Sequence, residues 1–178
     1  MNFSFRIDKQ MNDKVLVSVV MPNEKDLEVM NESIVTLKSL GISYEVTVIS
    51  AHRAPHQMIE YIRNAKERGI EVIIATAKGA AHLPGMIAAF TTLPVIAVPL
   101  KSPLLDGLDS IFSMLQMPDG VPVATVSVNG AKNAAILAAQ ILGLHHDNIS
   151  VELERLKIRL SSEVEEQAAS IKSKSSTQ

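Results

Sequence analysis

Residues 15–41, VLVSVVMPNEKDLEVMNESIVTLKSLG, decide the fold. Val15 to Met21 is a continuous run of mainly β-branched apolar residues, the pattern of a strand buried on both faces, and Pro22-Asn23 stops it in a turn. From Asp26 to Leu40 the period changes: Leu27, Met30, Ile34, Leu37 and Leu40 recur at helical spacing, and Gly41 follows as a helix stop. A strand that feeds directly into a helix of this kind is the first half of a β-α-β unit.

The unit recurs along the chain. Tyr44 to Ile49 reads as a strand, Pro55 to Arg68 as a helix closed by Gly69, and Val72 to Ala77 as a third strand. Leu83 to Phe90, with Pro84 in its first turn, predicts a helix leading to a fourth strand at Val95 to Val98. Leu104 to Met117 reads as helical, Val123 to Val128 as a fifth strand, and Ala131 to Leu142 as an alanine-rich helix. Strands alternating with helices predict an α/β fold: a flavodoxin-like three-layer sandwich on a doubly wound, five-stranded parallel sheet. Around this domain, residues 14–145, lie an N-terminal extension (1–13), in which Met11 offers a second start, and a C-terminal amphipathic helix for assembly (146–172). Within that helix, Ser150 to Ile171 carries Val151, Leu153, Leu156, Ile158 and Leu160 among many charges; the tail at 173–178 is expected to be disordered.

Composition narrows the function. The 178 residues suffice for one ordinary core, and with 47% apolar residues but four Phe, two Tyr and no Trp, that core must be built from aliphatic side chains. No cysteine is present, so a disulfide framework, a thiolate nucleophile, a zinc ribbon and an iron–sulfur cluster are all excluded. A formal charge of −2, with no basic stripe interleaved with aromatics, argues against nucleic acid as a partner. Residues 1–13 hold no apolar stretch of signal-peptide kind, and no run elsewhere is long enough for a membrane span, so a cytoplasmic location with no membrane partner is expected.

In an open parallel sheet, ligands bind beyond the carboxyl ends of the strands, which selects the segments 22–26, 50–55 and 76–84. Ser50-Ala51-His52-Arg53-Ala54-Pro55 brings a hydroxyl, an imidazole and a guanidinium to one helix start. That is the chemistry of a phosphate or carboxylate pocket with a titratable group beside it; the plainer reading is a solvated loop with a capping serine. Lys78-Gly79-Ala80-Ala81-His82-Leu83-Pro84-Gly85 has small residues that let a planar ligand approach the backbone, or else simply a tight turn that lets a helix pack close to the sheet. Lys101-Ser102 could line the pocket from a neighbouring side. His145-His146 reads as a surface turn, since no further metal ligand can be placed near it, and no metal site is expected.

Four segments taken in order, Ser50 to Pro55, Gly79 to Met86, Gly107 to Val123 with Gln116-Met117-Pro118, and Asn133-Ala134-Ala135, resemble the N5-carboxyaminoimidazole ribonucleotide mutase family over about Val15 to Leu142. The resemblance implies an enzyme of purine synthesis that needs neither metal nor organic cofactor, assembles as a homo-octamer and acts on a small ribonucleotide. The reaction moves a carboxylate from the exocyclic nitrogen of an aminoimidazole to ring carbon C4. By matched position His52 is the acid and base; Ser50 and Arg53 hold the phosphate; Asp26 accepts from ribose hydroxyls. Gly79, Ala80, His82 and Leu83 flank the migrating carboxylate and shield carbon dioxide from water.

Two loops depart from the resembled pattern. Where the family usually has Met-Gly-Ser-x-x-Asp, this chain has Met21-Pro22-Asn23-Glu24-Lys25-Asp26, so a backbone donor and a flexible joint are lost, with Asn23 and Lys25 as possible compensation. Where it usually has Ala-Gly-Ala-Gly-Gly-Ala-Ala-His, this chain has Ala75-Thr76-Ala77-Lys78-Gly79-Ala80-Ala81-His82. Turned inward, Lys78 would favour an extra anionic group on the substrate; turned outward, it is a solvated lysine. The departures leave room for a divergent paralogue working on another heteroaromatic phosphate, or for a non-catalytic nucleotide-binding or assembly subunit.

Overall fold

The computed structural model describes residues 14–103 and 105–175. The N-terminal extension with Met11 and the last residues, 176–178, lie outside them. Five parallel strands, β1 (Val17–Met21), β2 (Tyr44–Val48), β3 (Val72–Ala77), β4 (Val95–Pro99) and β5 (Ala124–Thr125), form one sheet in the order β2-β1-β3-β4-β5. The helices are α1 (Leu27–Ser39), α2 (Pro55–Arg63), α3 (His82–Ala89), α4 (Leu108–Leu115), α5 (Ala131–Leu142) and α6 (Asp147–Ser175), with a short 3₁₀ turn at Glu24–Asp26 before α1. This is the three-layer sandwich expected.

The continuous apolar strands are explained by two cores, one on each face of the sheet. Val17, Val19 and Met21 pack with α1, α5 and α6, whereas Val20, Ile73 and Ala75 pack with α2, α3 and Met114 of α4. Successive strand residues point to opposite faces, so a strand covered on both sides cannot alternate in polarity. The small side chains of α5, Ala131, Ala134, Ala135, Ala138 and Ala139, are fully buried and let that helix lie close against α1 and the strands. One polar group breaks the core beneath α2: the Tyr61 hydroxyl lies 2.7 Å from buried Ser18 Oγ and donates to Glu45, whose Oε1 also takes Arg68 at 2.9 Å. Burial, with the Glu45 carboxylate next to it, pushes the Tyr61 phenol well up, so the hydroxyl stays protonated and can donate.

Three elements are shorter than the sequence suggests, each for a local reason. α2 stops at Arg63 rather than Arg68, and Arg68 folds back to bond Glu45 and the Tyr61 carbonyl. α4 begins at Leu108 and ends at Leu115, because Asp106 and Gly107 both have positive φ and Pro118 lies just beyond its end. At Gly107, with φ of 99°, a Cβ would also meet Val128 Cγ1 at 2.8 Å, so the turn that aims α4 requires glycine. β5 is an edge strand of two residues paired only with Ile96 and Ala97; Asn129, with φ of 56°, then turns the chain toward α5. The last helix is longer than expected and takes in residues 173–175 of the tail read as disordered. His146, at the turn before it, pairs with Glu71 at 2.8 Å and ties α6 to the amino end of β3.

Candidate active site

β1 lies between β2 and β3, so the loops that leave the carboxyl ends of these strands, 22–26, 50–54 and 78–81, are neighbours at the point where the strand order reverses. Each loop reaches the next. Ser50 Oγ accepts from both the backbone N–H and Nε of Arg53 at 3.3 Å, which folds the arginine over its own loop, and Arg53 Nη2 donates to the Pro22 carbonyl at 3.4 Å. From the other side Lys78 Nζ reaches Asp26 Oδ1 at 3.5 Å. Lys78 therefore turns inward over the cleft. Asp26 is 3% exposed, and its second oxygen, Oδ2, is buried without a hydrogen-bond partner. Such an oxygen is costly unless something donates to it.

His52 and His82 meet at the cleft. Nε2 of His52 lies 2.8 Å from Nδ1 of His82, with the rings edge-on and their centroids 5.1 Å apart. Both rings are exposed at the cleft. One nitrogen must donate and the other accept, so the two imidazoles hold a single proton between these atoms. The contact fixes the direction of the His52 ring.

The 78–81 loop is rigid for reasons outside itself. Gly79 and Ala81 have φ of 67° and 47°, and the left-handed conformation costs an alanine about 1 kcal/mol. The loop is held there by α4. Ser110, fully buried, takes the Gly79 N–H on Oγ at 2.9 Å and donates to the Leu100 carbonyl at 2.8 Å. Ser113 Oγ, which donates to the Asp109 carbonyl at 2.8 Å, lies 3.2 Å from the Gly79 carbonyl, and Ser102 donates to Asp109 at 2.6 Å. Ser110 and Ser113 do not stand out in the sequence; the one available signal is that Ser110 shares the buried stripe of α4 with Met114, where a polar residue must find a partner.

The remaining expected site residues divide. Asn23 caps the 3₁₀ turn, its Oδ1 accepting from Lys25 N–H at 3.0 Å, which leaves Nδ2 for a ligand. Ala80 is exposed and, with His82, Gly85, Met86, Met117 and Pro118, lines an apolar cavity of about 440 Å³ beside the histidine pair. Leu83 is 3% exposed and turns its side chain into the core under α3, so it can offer a ligand only its backbone. Lys101 pairs with Asp106 at 2.7 Å, and Ser102 bonds Asp109. Among the described residues there is no cluster of three or more metal-ligating side chains, and no helix is long and apolar enough to cross a membrane.

The AIR carboxylase family matches residues 16–163. A protein of Thermotoga maritima named N5-carboxyaminoimidazole ribonucleotide mutase is 56% identical over 152 residues, 85% of this chain and 89% of its own. Phosphoribosylaminoimidazole carboxylase of Saccharomyces cerevisiae is 48% identical over 159 residues, covering 89% of this chain and 28% of its own. The crystal structure of Treponema denticola PurE superposes with a TM-score of 0.81 at 28% identity, covering 88% of this chain and 98% of that one.

Proposed function

The chain belongs to the AIR carboxylase family, and from that premise we infer that this cleft converts N5-carboxyaminoimidazole ribonucleotide to its C4-carboxylated isomer in purine biosynthesis. The observation that carries the mechanism is the His52–His82 contact at the meeting point of three ligand loops. The carbamate C–N bond breaks and releases carbon dioxide, while His52 gives a proton to the departing nitrogen. Ring carbon C4 then forms a bond to the same carbon dioxide, and His52 takes up the proton that C4 loses. Atoms balance, and the histidine ends as it began.

Imidazole suits both steps because, as a class, it titrates near neutrality. His82 acts as a positioning residue that keeps the His52 ring aimed. Arg53 and Ser50 hold the phosphate, Asn23 adds an amide donor, and Asp26 takes ribose hydroxyls on Oδ1, beside Lys78, since Oδ2 is buried. The backbone at Ala80 and Leu83 faces the migrating carboxylate, while Gly79, its N–H bound to Ser110, shapes the turn that presents them. The apolar wall beside His82 favours carbon dioxide over water, so confinement carries much of the catalysis. With substrate carrying a ¹³C carboxylate in unlabelled bicarbonate buffer, the product is expected to keep its label; washout of the label would show that carbon dioxide leaves the pocket.

The assembly we propose is a homo-octamer, working in the cytoplasm. Support comes from apolar side chains left open on α4, with Phe112 58% and Leu115 61% exposed, and along α6, with Ile158 and Val164 at 66% and 64%. Apolar groups of this size are usual where a helix packs on a neighbouring subunit. Sedimentation equilibrium is expected to give eight times the 19.3 kDa chain, and a monomer mass would refute the assembly.

A further inference from the structure

We propose that Lys78 is a specificity-determining residue, a cation that the third-strand loop lends to the first loop for holding the substrate's phosphate. The inference rests on the nucleotide reading above and deepens it. Loop 22–26 is poorly equipped for an anion by itself. Pro22 has no N–H to donate, and its carbonyl, an acceptor, is already turned to Arg53. Glu24 and Asp26 outnumber Lys25 in charge. Asp26 is nearly buried, so its carboxylate would repel a phosphate at close range unless something offsets it.

Lys78 is that offset. Its ammonium comes from a residue 52 positions away and sits 3.5 Å from Asp26 Oδ1. With 53% of its side chain exposed, it keeps an open side toward the cleft. An ammonium has three donors, and the contact with Asp26 uses one. Arg53 stands on the opposite flank of the same loop, at the Pro22 carbonyl, so an oxyanion above loop 22–26 has a guanidinium on one side and an ammonium on the other. The histidine pair is bonded to neither cation. Lys78 is therefore expected to govern binding and leave the proton transfers alone.

The phosphate and the migrating carboxylate are both oxyanions, and the test separates them. Calorimetric titration with ribose 5-phosphate, and with the phosphate-free 4-carboxy-5-aminoimidazole riboside, would be run on the full chain, on Lys78→Met and on Lys78→Arg. In Lys78→Met the Kd for ribose 5-phosphate is expected to rise about tenfold, the worth of one charge-assisted hydrogen bond, with the dependence on salt reduced. Lys78→Arg restores most of the affinity, the riboside binds all three proteins alike, and kcat for the full substrate stays within about twofold, as uniform binding requires. Unchanged affinity for ribose 5-phosphate in Lys78→Met would overturn the proposal, and so would an equal loss for the riboside, which would assign Lys78 to the carboxylate. Wild-type protein that binds ribose 5-phosphate through Lys78 but does not turn over the mutase substrate would refute the function and leave the role of Lys78 standing.

Discussion

His52→Asn is expected to lower kcat by about 10² to 10⁴-fold, the usual worth of a positioned acid and base, with no measurable loss of stability. The second half of that expectation follows from the surroundings. His52 is exposed, and the side-chain contact that fixes it is with His82, another exposed ring. Asparagine keeps a polar side chain in the place of the imidazole but, too short to reach the position of Nε2, neither bonds His82 nor carries a proton between nitrogen and carbon. Steady-state rates and a thermal melt on the same preparation separate chemistry from folding. A variant with more than a tenth of wild-type kcat would remove His52 from the mechanism, and a large fall in melting temperature would mean that its contact with His82 is structural.

Ser110→Val is expected to damage both activity and fold from outside the cleft. The substitution strips the Gly79 N–H of its acceptor and the Leu100 carbonyl of its side-chain donor, and Ser110→Thr, of the same branched shape as valine, controls for the added bulk. A buried polar group left unpaired costs about 1 to 3 kcal/mol, so the melting temperature should fall by several degrees. The Gly79 turn then loses the bond that holds its left-handed backbone, and His82, at the start of the helix that follows, loses its fixed distance from His52. Turnover is expected to fall at least tenfold even at temperatures where the variant is fully folded, because small misplacements of reacting groups are costly. Ser110→Thr, which keeps the hydroxyl, should recover much of the rate. Full activity in folded Ser110→Val would show that the loop is held by its own sequence.

How much could be read from sequence depends on how far each determinant lies along the chain. β3 and α5 were legible to the residue, since Val72–Ala77 and Ala131–Leu142 are each bounded by their own turn signals. β5 was not, because its length is set by how much of Ile96 and Ala97 remains to pair with at an edge. The extent of α4 was hidden for a similar reason: Asp106 and Gly107 adopt positive φ to pass under Val128, a residue beyond the helix. Within the site, residue types were legible and partnerships were not. His52 and His82 could be singled out one at a time, but that they touch depends on β2 and β3 lying on either side of β1. Lys78 could be read facing either way, and the burial of Asp26 decides it: a nearly inaccessible carboxylate draws the nearest cation inward.

The most direct measurement gives the purified protein N5-carboxyaminoimidazole ribonucleotide alone, without ATP or added metal, and follows formation of the C4-carboxylated product. Rapid, stoichiometric isomerisation is the expected result. No turnover by protein that is folded and fully assembled would contradict the account.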